Sequence, residues 1–177
     1  MNKSKKVSES KSVMTEMIMP NDTNALGNAM GGNLMRWMDI AAAICANRHA
    51  ETYCVTLSVD HLSFRKPIPL GHVITLEACI TRAFNTSMEI YVQVFTSDSR
   101  RRDAELSTHA FFTFVALDAD THVPVQAPEL IPETELEKQL YEGAMLRREM
   151  RLLLSGRLDG KNARVLKEVI EGKKIFF

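Results

Sequence analysis

The sequence predicts an α+β fold in which a curved antiparallel sheet wraps around one long central helix, followed by a C-terminal helical extension. Three observations carry this. The residues from about Asn33 to His49 are apolar on nearly every side, with Arg36 and Asp39 the only charges before Arg48. A helix of that kind is normally buried. Four strand-like segments follow it, separated by short polar turns. Beyond Pro128 the chain turns to Glu, Arg and Leu near helical spacing.

The elements follow in order. Met1 to Lys11 is Lys/Ser-rich without an apolar core, which reads as a floppy tail over residues 1–10 and not as a signal peptide. Lys11 to Met19 alternates weakly and is a first strand. A polar loop, Met19 to Gly32, tightens through two adjacent glycines and runs into the helix, which at roughly 1.5 Å per residue is about 24 Å long. Tyr53–Asp60, His72–Phe84, Ser87–Thr96 and Glu105–Leu117 are β-rich. Pro67-Ile68-Pro69-Leu70-Gly71 punctuates the chain before the second of them, and Asn85-Thr86 is short enough to close a hairpin. Ser97 to Asp103 is an Arg-rich turn. One long helix with consecutive antiparallel strands is a layout in which the sheet covers the helix. Pro132 to Leu154 predicts a helix ended by Ser155-Gly156, and Ala163 to Gly172 a shorter one. The expected organisation is a tail (1–10), a sheet domain (11–130) and a helical extension (131–177).

Composition narrows the function classes. Of 177 residues, 45% are hydrophobic and 25% charged, with formal net charge zero. This is ordinary for a globular chain and gives no reason to expect a nucleic-acid partner. No apolar run is long enough to predict a membrane span. Cys45, Cys54 and Cys79 sit in apolar runs without metal-ligand spacing, which predicts buried free thiols in a reducing, cytoplasmic setting. The glycine-rich Gly27-Asn28-Ala29-Met30-Gly31-Gly32 lacks the Lys-Ser/Thr of a phosphate loop. There is no GxSxG elbow and no HExxH pattern. The five histidines are scattered. An enzyme built from this chain must work with a carboxylate, amides and backbone donors.

Three features offer that chemistry. Gly31-Gly32 falls where the helix begins, and helix N-termini present unpaired N–H groups at the positive end of the dipole. Glycine lets another group approach that backbone closely, so the pair can serve as an oxyanion site. It can equally serve only tight packing. Asp39, about two turns further on, is either an i,i+3 partner of Arg36 or a general base that orients a water. Asn24 is either a turn residue or a side-chain amide that holds a water or a carbonyl. Asn24 and Asp39 lie on separate elements, and two protomers could bring them together.

The run Pro20-x-Asp22-Thr23-Asn24-x-x-Gly27-x-x-x-Gly31-Gly32-x-x-Met35-x-x-Met38-Asp39-x-Ala41-Ala42, followed by Ala46-x-Arg48-His49, resembles the hotdog-fold acyl-CoA thioesterases of the cytosolic acyl-CoA hydrolase type. Ser58-Val59-Asp60-x-x-x-Phe64-x-x-Pro67-Ile68-x-x-Gly71, Thr86-Ser87-Met88-Glu89 and Phe114-Val115-Ala116-Leu117-Asp118 extend the resemblance over about residues 11 to 130. Met30 departs from it, where this group often carries an aromatic or His. The resemblance implies a homodimer with a continuous sheet, assembled further into a hexamer as a trimer of dimers, with active sites between protomers. It implies Asn24 and Asp39 as a catalytic pair from opposite subunits, Asp39 activating the water, and the Gly32 N–H stabilising the oxyanion. Gly31, Phe64, Arg65 and Ser87 would contact the coenzyme A portion of the substrate. Arg65, Lys66 and Arg100–Arg102 could meet its phosphates. No metal and no cofactor beyond substrate coenzyme A is implied, and the partner is acyl-CoA, with neither nucleic acid nor membrane. The rival expectations are a non-catalytic acyl-CoA-binding sensor on the same fold and a hotdog enzyme of other chemistry, such as a dehydratase. The latter usually wants a His near the helix, and none lies between Asn24 and Arg48.

Overall fold

The computed structural model describes residues 4–60, 62–64, 66–101 and 103–172. They form two compact units, divided between Leu130 and Ile131. In the first, β2 (Ser12–Met17), β4 (His72–Ala83), β5 (Ser87–Asp98), β6 (Glu105–Leu117) and β3 (Tyr53–Val59) make one antiparallel sheet in the order β2-β4-β5-β6-β3. The helix α1 runs from Gly31 to Ala50 and packs against all five strands. It ends where Glu51 adopts a left-handed conformation, φ 56°.

The strands are not consecutive neighbours throughout. β4, β5 and β6 form a meander, whereas β3 crosses to the far edge and pairs with β6. The connection over residues 60–71 is long enough for that crossover, and a tight β3–β4 hairpin is not possible with it.

Alternation along the strands sends one set of side chains to the helix. Leu76, Ala78 and Ile80 of β4 align with Val94, Val92 and Ile90 of β5, Ile74 lies opposite Thr96, and Met88, Ile90 and Val92 align with Phe114, Phe112 and Ala110 of β6. The apolar residues of these rows are buried, as are Leu34, Trp37, Met38, Ala41, Ala42, Cys45, Ala46 and His49 on α1. The row Ala78–Val92–Ala110 is made of small side chains, which gives the alanine-rich helix room to lie close.

Within this unit the described residues cover one face of α1. Met35 and Ile44 are exposed on the other, so the expectation of a helix buried all round is met by this unit on one side only.

The start of the chain is also corrected. From Ser4 it is ordered, as β1 (Ser4–Lys6), which pairs with β7 (Glu129–Ile131), and a 3-10 turn over Val7–Glu9. Val7 and Ser10 are buried. Lys5 pairs with Glu51 at 2.8 Å and donates to the Arg48 carbonyl. One apolar residue and specific polar contacts to the end of α1 outweigh a composition that by itself favours disorder.

The second unit holds α2 (Glu135–Leu154) and α3 (Arg164–Ile170). Thr134 and Glu137 form a capping box at the start of α2, and Gly156, at φ 70°, follows its end. The Glu149 carboxylate accepts from the Val165 and Leu166 amides, so α2 caps α3.

Candidate active site

The loop before α1 is held by Asp22. Its carboxylate accepts from the Met19 amide at 3.1 Å and from Asn33 Nδ2 at 3.2 Å, and its carbonyl accepts from the Met30 amide. These bonds tie the loop to the first turn of the helix. Asn24 sits in the next turn, where its Oδ1 accepts from the Leu26 amide at 2.9 Å and the Asn28 amide at 3.2 Å. Gly27 supplies the positive φ of 73° that this turn needs. Leu70 donates to Gly27 and Ala29 to Ile68, clamping the loop to the segment before β4. Asn24 therefore does fill a turn role. Because both loop amides are satisfied through Oδ1, its Nδ2 is left as an exposed donor, without an acceptor among the described residues.

Helix α1 starts at Gly31 with Met30 as N-cap and no side-chain cap. Its first N–H groups are left open by position. The space beside Gly32 is empty, with nothing within 4 Å of where a Cβ would stand. Gly31 differs: a Cβ there would lie 2.9 Å from Phe64 Cε2 and 3.2 Å from its Cζ. The structure thus brings Gly31, Gly32 and Phe64 together at one helix end.

Asp39 is half-buried on the open side of α1, and Thr56 Oγ1 donates to its Oδ1 at 2.6 Å. Its other oxygen carries no hydrogen bond among the described residues, and the i,i+3 pair with Arg36 is not formed among them. Sequence reasoning missed Thr56. The signal was the alternation at the start of β3, which sends Tyr53 and Val55 one way and the small polar Cys54 and Thr56 the other. A register irregularity lies between Thr56 and Ser58, a device that re-aims strand side chains.

One protomer does not bring the whole set together. Seven residues of helix separate Gly32 from Asp39, about 10 Å along the axis. Ser87 starts β5 at the end of the sheet opposite the Asn24 loop, the length of β4 away, roughly 40 Å. Lys66 is paired with Glu105 at 2.6 Å and Arg100 with Asp98 at 2.8 Å. The Arg100 guanidinium holds the Asp98 carboxyl well below the usual range, and Lys66 lowers that of Glu105. Both cations are committed locally. Arg65 and Arg102 lie outside the described residues.

The outer edge of β3 has no strand partner among the described residues, and its apolar side chains Tyr53, Val55, Leu57 and Val59 are exposed. An open edge with exposed apolar side chains is a pairing surface.

A five-stranded antiparallel sheet wrapped around one long helix is the hotdog fold. Residues 26–102 match the thioesterase superfamily. An uncharacterized acyl-CoA thioester hydrolase of Bacillus subtilis is 40% identical over 139 residues, 78% of this chain and 80% of that one. The crystal structure of an apo-hexameric acyl-CoA thioesterase superposes with a TM-score of 0.83 at 36% identity, over 86% of this chain and 97% of that one. An acyl-CoA hydrolase from Staphylococcus aureus, solved in complex with butyryl coenzyme A, coenzyme A and coenzyme A disulfide, gives 0.80 at 36% identity over 87% and 95%. That enzyme has also been solved with an asparagine, an aspartate and a threonine each replaced by alanine, at positions successively 15 and 17 residues apart. The chain belongs to the thioesterase superfamily, among its acyl-CoA thioester hydrolases.

Proposed function

We propose that this protein hydrolyses acyl-CoA thioesters to a free fatty acid and coenzyme A by direct attack of water. The observation that carries the reading is the Asp39 carboxylate, fixed through one oxygen by Thr56 and open at the other. A base held this way can take a proton from water as the water oxygen bonds to the thioester carbon. The carbonyl oxygen gains charge and is met by the Gly32 N–H at the uncapped helix start. Asn24 Nδ2 from the other protomer places the water or the carbonyl. The tetrahedral intermediate then collapses, the carbon–sulfur bond breaks, and the coenzyme A thiolate regains a proton. The scheme calls on no covalent intermediate, metal or organic cofactor. Asn24, Asp39 and Thr56 are themselves 15 and 17 residues apart, the spacing of the three positions replaced in the Staphylococcus aureus enzyme, which supports assigning them to one site.

The reading requires a homodimer in which β3 edges pair into a continuous sheet, and a trimer of dimers is the proposed assembly. Gly31, Phe64 and Ser87 line the coenzyme A path, with Arg65 its basic contact. A reducing, cytoplasmic setting suits the three free thiols.

The test is thiol release from an acyl-CoA chain-length series, wild type beside Asp39→Ala. Release by wild type with a loss on the order of 10² or more in the variant is expected. Binding of acyl-CoA without release from any chain would favour the sensor instead.

A further inference from the structure

Phe64 occupies an unusual place for a large apolar side chain. It is 48% exposed, yet its ring edge rests on the backbone of Gly31, at the end of α1 to which the thioester carbonyl is assigned. The segment that carries it is anchored on both sides. Thr108 Oγ1 donates to the Ser63 carbonyl at 2.8 Å, and Lys66 pairs with Glu105 at 2.6 Å. The backbone that carries the ring is thereby held beside Gly31, while nothing of the same protomer lies within 4 Å of where a Gly32 Cβ would stand.

We propose that Phe64 is a specificity-determining residue that restricts this enzyme to acyl groups unbranched at the carbon next to the thioester carbonyl. The inference rests on the acyl-CoA hydrolase reading above. A carbonyl whose oxygen meets the open N–H groups of α1 has the ring on one flank. A straight chain can leave toward the open flank. A methyl branch on the adjacent carbon adds a second substituent that the ring's flank cannot receive. One methyl group in a shaped pocket discriminates by roughly 10- to 200-fold.

The experiment compares kcat/KM for butyryl-CoA and 2-methylbutyryl-CoA, which share a four-carbon main chain and differ only in the branching methyl. Wild type is expected to favour butyryl-CoA by tenfold or more, and Phe64→Ala to bring the ratio within about threefold. Phe64→Leu, which keeps an apolar side chain on the same anchored segment, should fall between them. Gly31→Ala supplies a readout that a purely structural role would not move. Gly31 has no positive φ, so alanine suits the helix and the variant should unfold no lower than wild type. Its Cβ displaces the ring, and so it should change the ratio in the wild-type background and leave it unchanged beside Phe64→Ala. Equal turnover of the two substrates by wild type, or an undiminished preference in Phe64→Ala and Phe64→Leu, would overturn the assignment. Absence of release by wild type from every member of the chain-length series would instead overturn the hydrolase reading, and this inference with it.

Discussion

Thr56→Val removes a hydroxyl and keeps the shape of the side chain. The bond it deletes, Thr56 Oγ1 to Asp39 Oδ1 at 2.6 Å, has a carboxylate acceptor, and bonds of that class contribute about 1.5–3 kcal/mol. If all of that served to hold Asp39 in the transition state, kcat would fall roughly 10- to 100-fold. Thr56 is exposed in the protomer, so water replaces part of the lost bond, and a fall of about tenfold is expected with KM little changed. Thr56→Ser retains the donor and should hold most of the rate. The deciding arm is the double variant. If Thr56 acts only through Asp39, Asp39→Ala with Thr56→Val should be no slower than Asp39→Ala alone. Steady-state thiol release on butyryl-CoA measures wild type and all four variants. Wild-type kcat in Thr56→Val, or fully additive losses in the double variant, would refute the positioning role.

Three further outcomes follow from the same geometry. Asn24→Asp keeps the Oδ1 that the Leu26 and Asn28 amides require and removes the Nδ2 donor, so it should melt near wild type while losing tenfold or more in kcat; retained turnover would reduce Asn24 to a turn residue. Deleting residues 1–10 removes the buried Val7 and Ser10, at about 2–3 kcal/mol, and should lower Tm by roughly 4–12 °C in calorimetry, whereas a floppy tail would leave it unmoved. His49 is fully buried between Ser10 and the Pro128 carbonyl, and burial lowers its pKa; the stability it supports is fully present above about pH 6.5 and is lost as pH falls through the depressed value, so the urea midpoint should drop on acidification and His49→Gln should flatten that drop.

The strands and α1 were legible because their periodicities are local properties: each observed boundary from Tyr53 to Leu117 lies within two residues of the alternation that predicts it. Strand order was not. That β3 pairs with β6 and not β4 depends on a crossover over 60–71, and alternation says nothing about neighbours. Ordering at Ser4–Ser10 rests on contacts to residues some 40 positions away, which composition cannot register. At the site, Asn24, Gly32 and Asp39 stood out because each is chemically conspicuous in its setting. Thr56 did not, since a threonine in a strand is its commonest place and only the pairing of β3 with α1 gives it a partner.

The apolar circumference of α1 and the carboxylate upon it have a common physical origin. One face of the helix is filled by its own sheet, and the other carries Met35, Ile44 and the half-buried Asp39, beside the exposed apolar side chains of β3. Covering that side with a second copy would bury the remaining apolar surface and lay a second Asn24 loop near Asp39, and the proposed site would then be a property of the pair. Subunit complementation tests this directly. In a heterodimer of Asn24→Asp and Asp39→Ala chains, one site carries both substitutions and the other carries neither. Random pairing makes half of the dimers mixed, with one intact site each, so co-expressed chains should recover about one quarter of wild-type activity although each variant alone is nearly inactive. Recovery of that order, with differently tagged chains co-purifying, places Asn24 and Asp39 on opposite protomers. Co-purification without recovery would mean that each chain must supply both residues to its own site, and the two-protomer mechanism would fall.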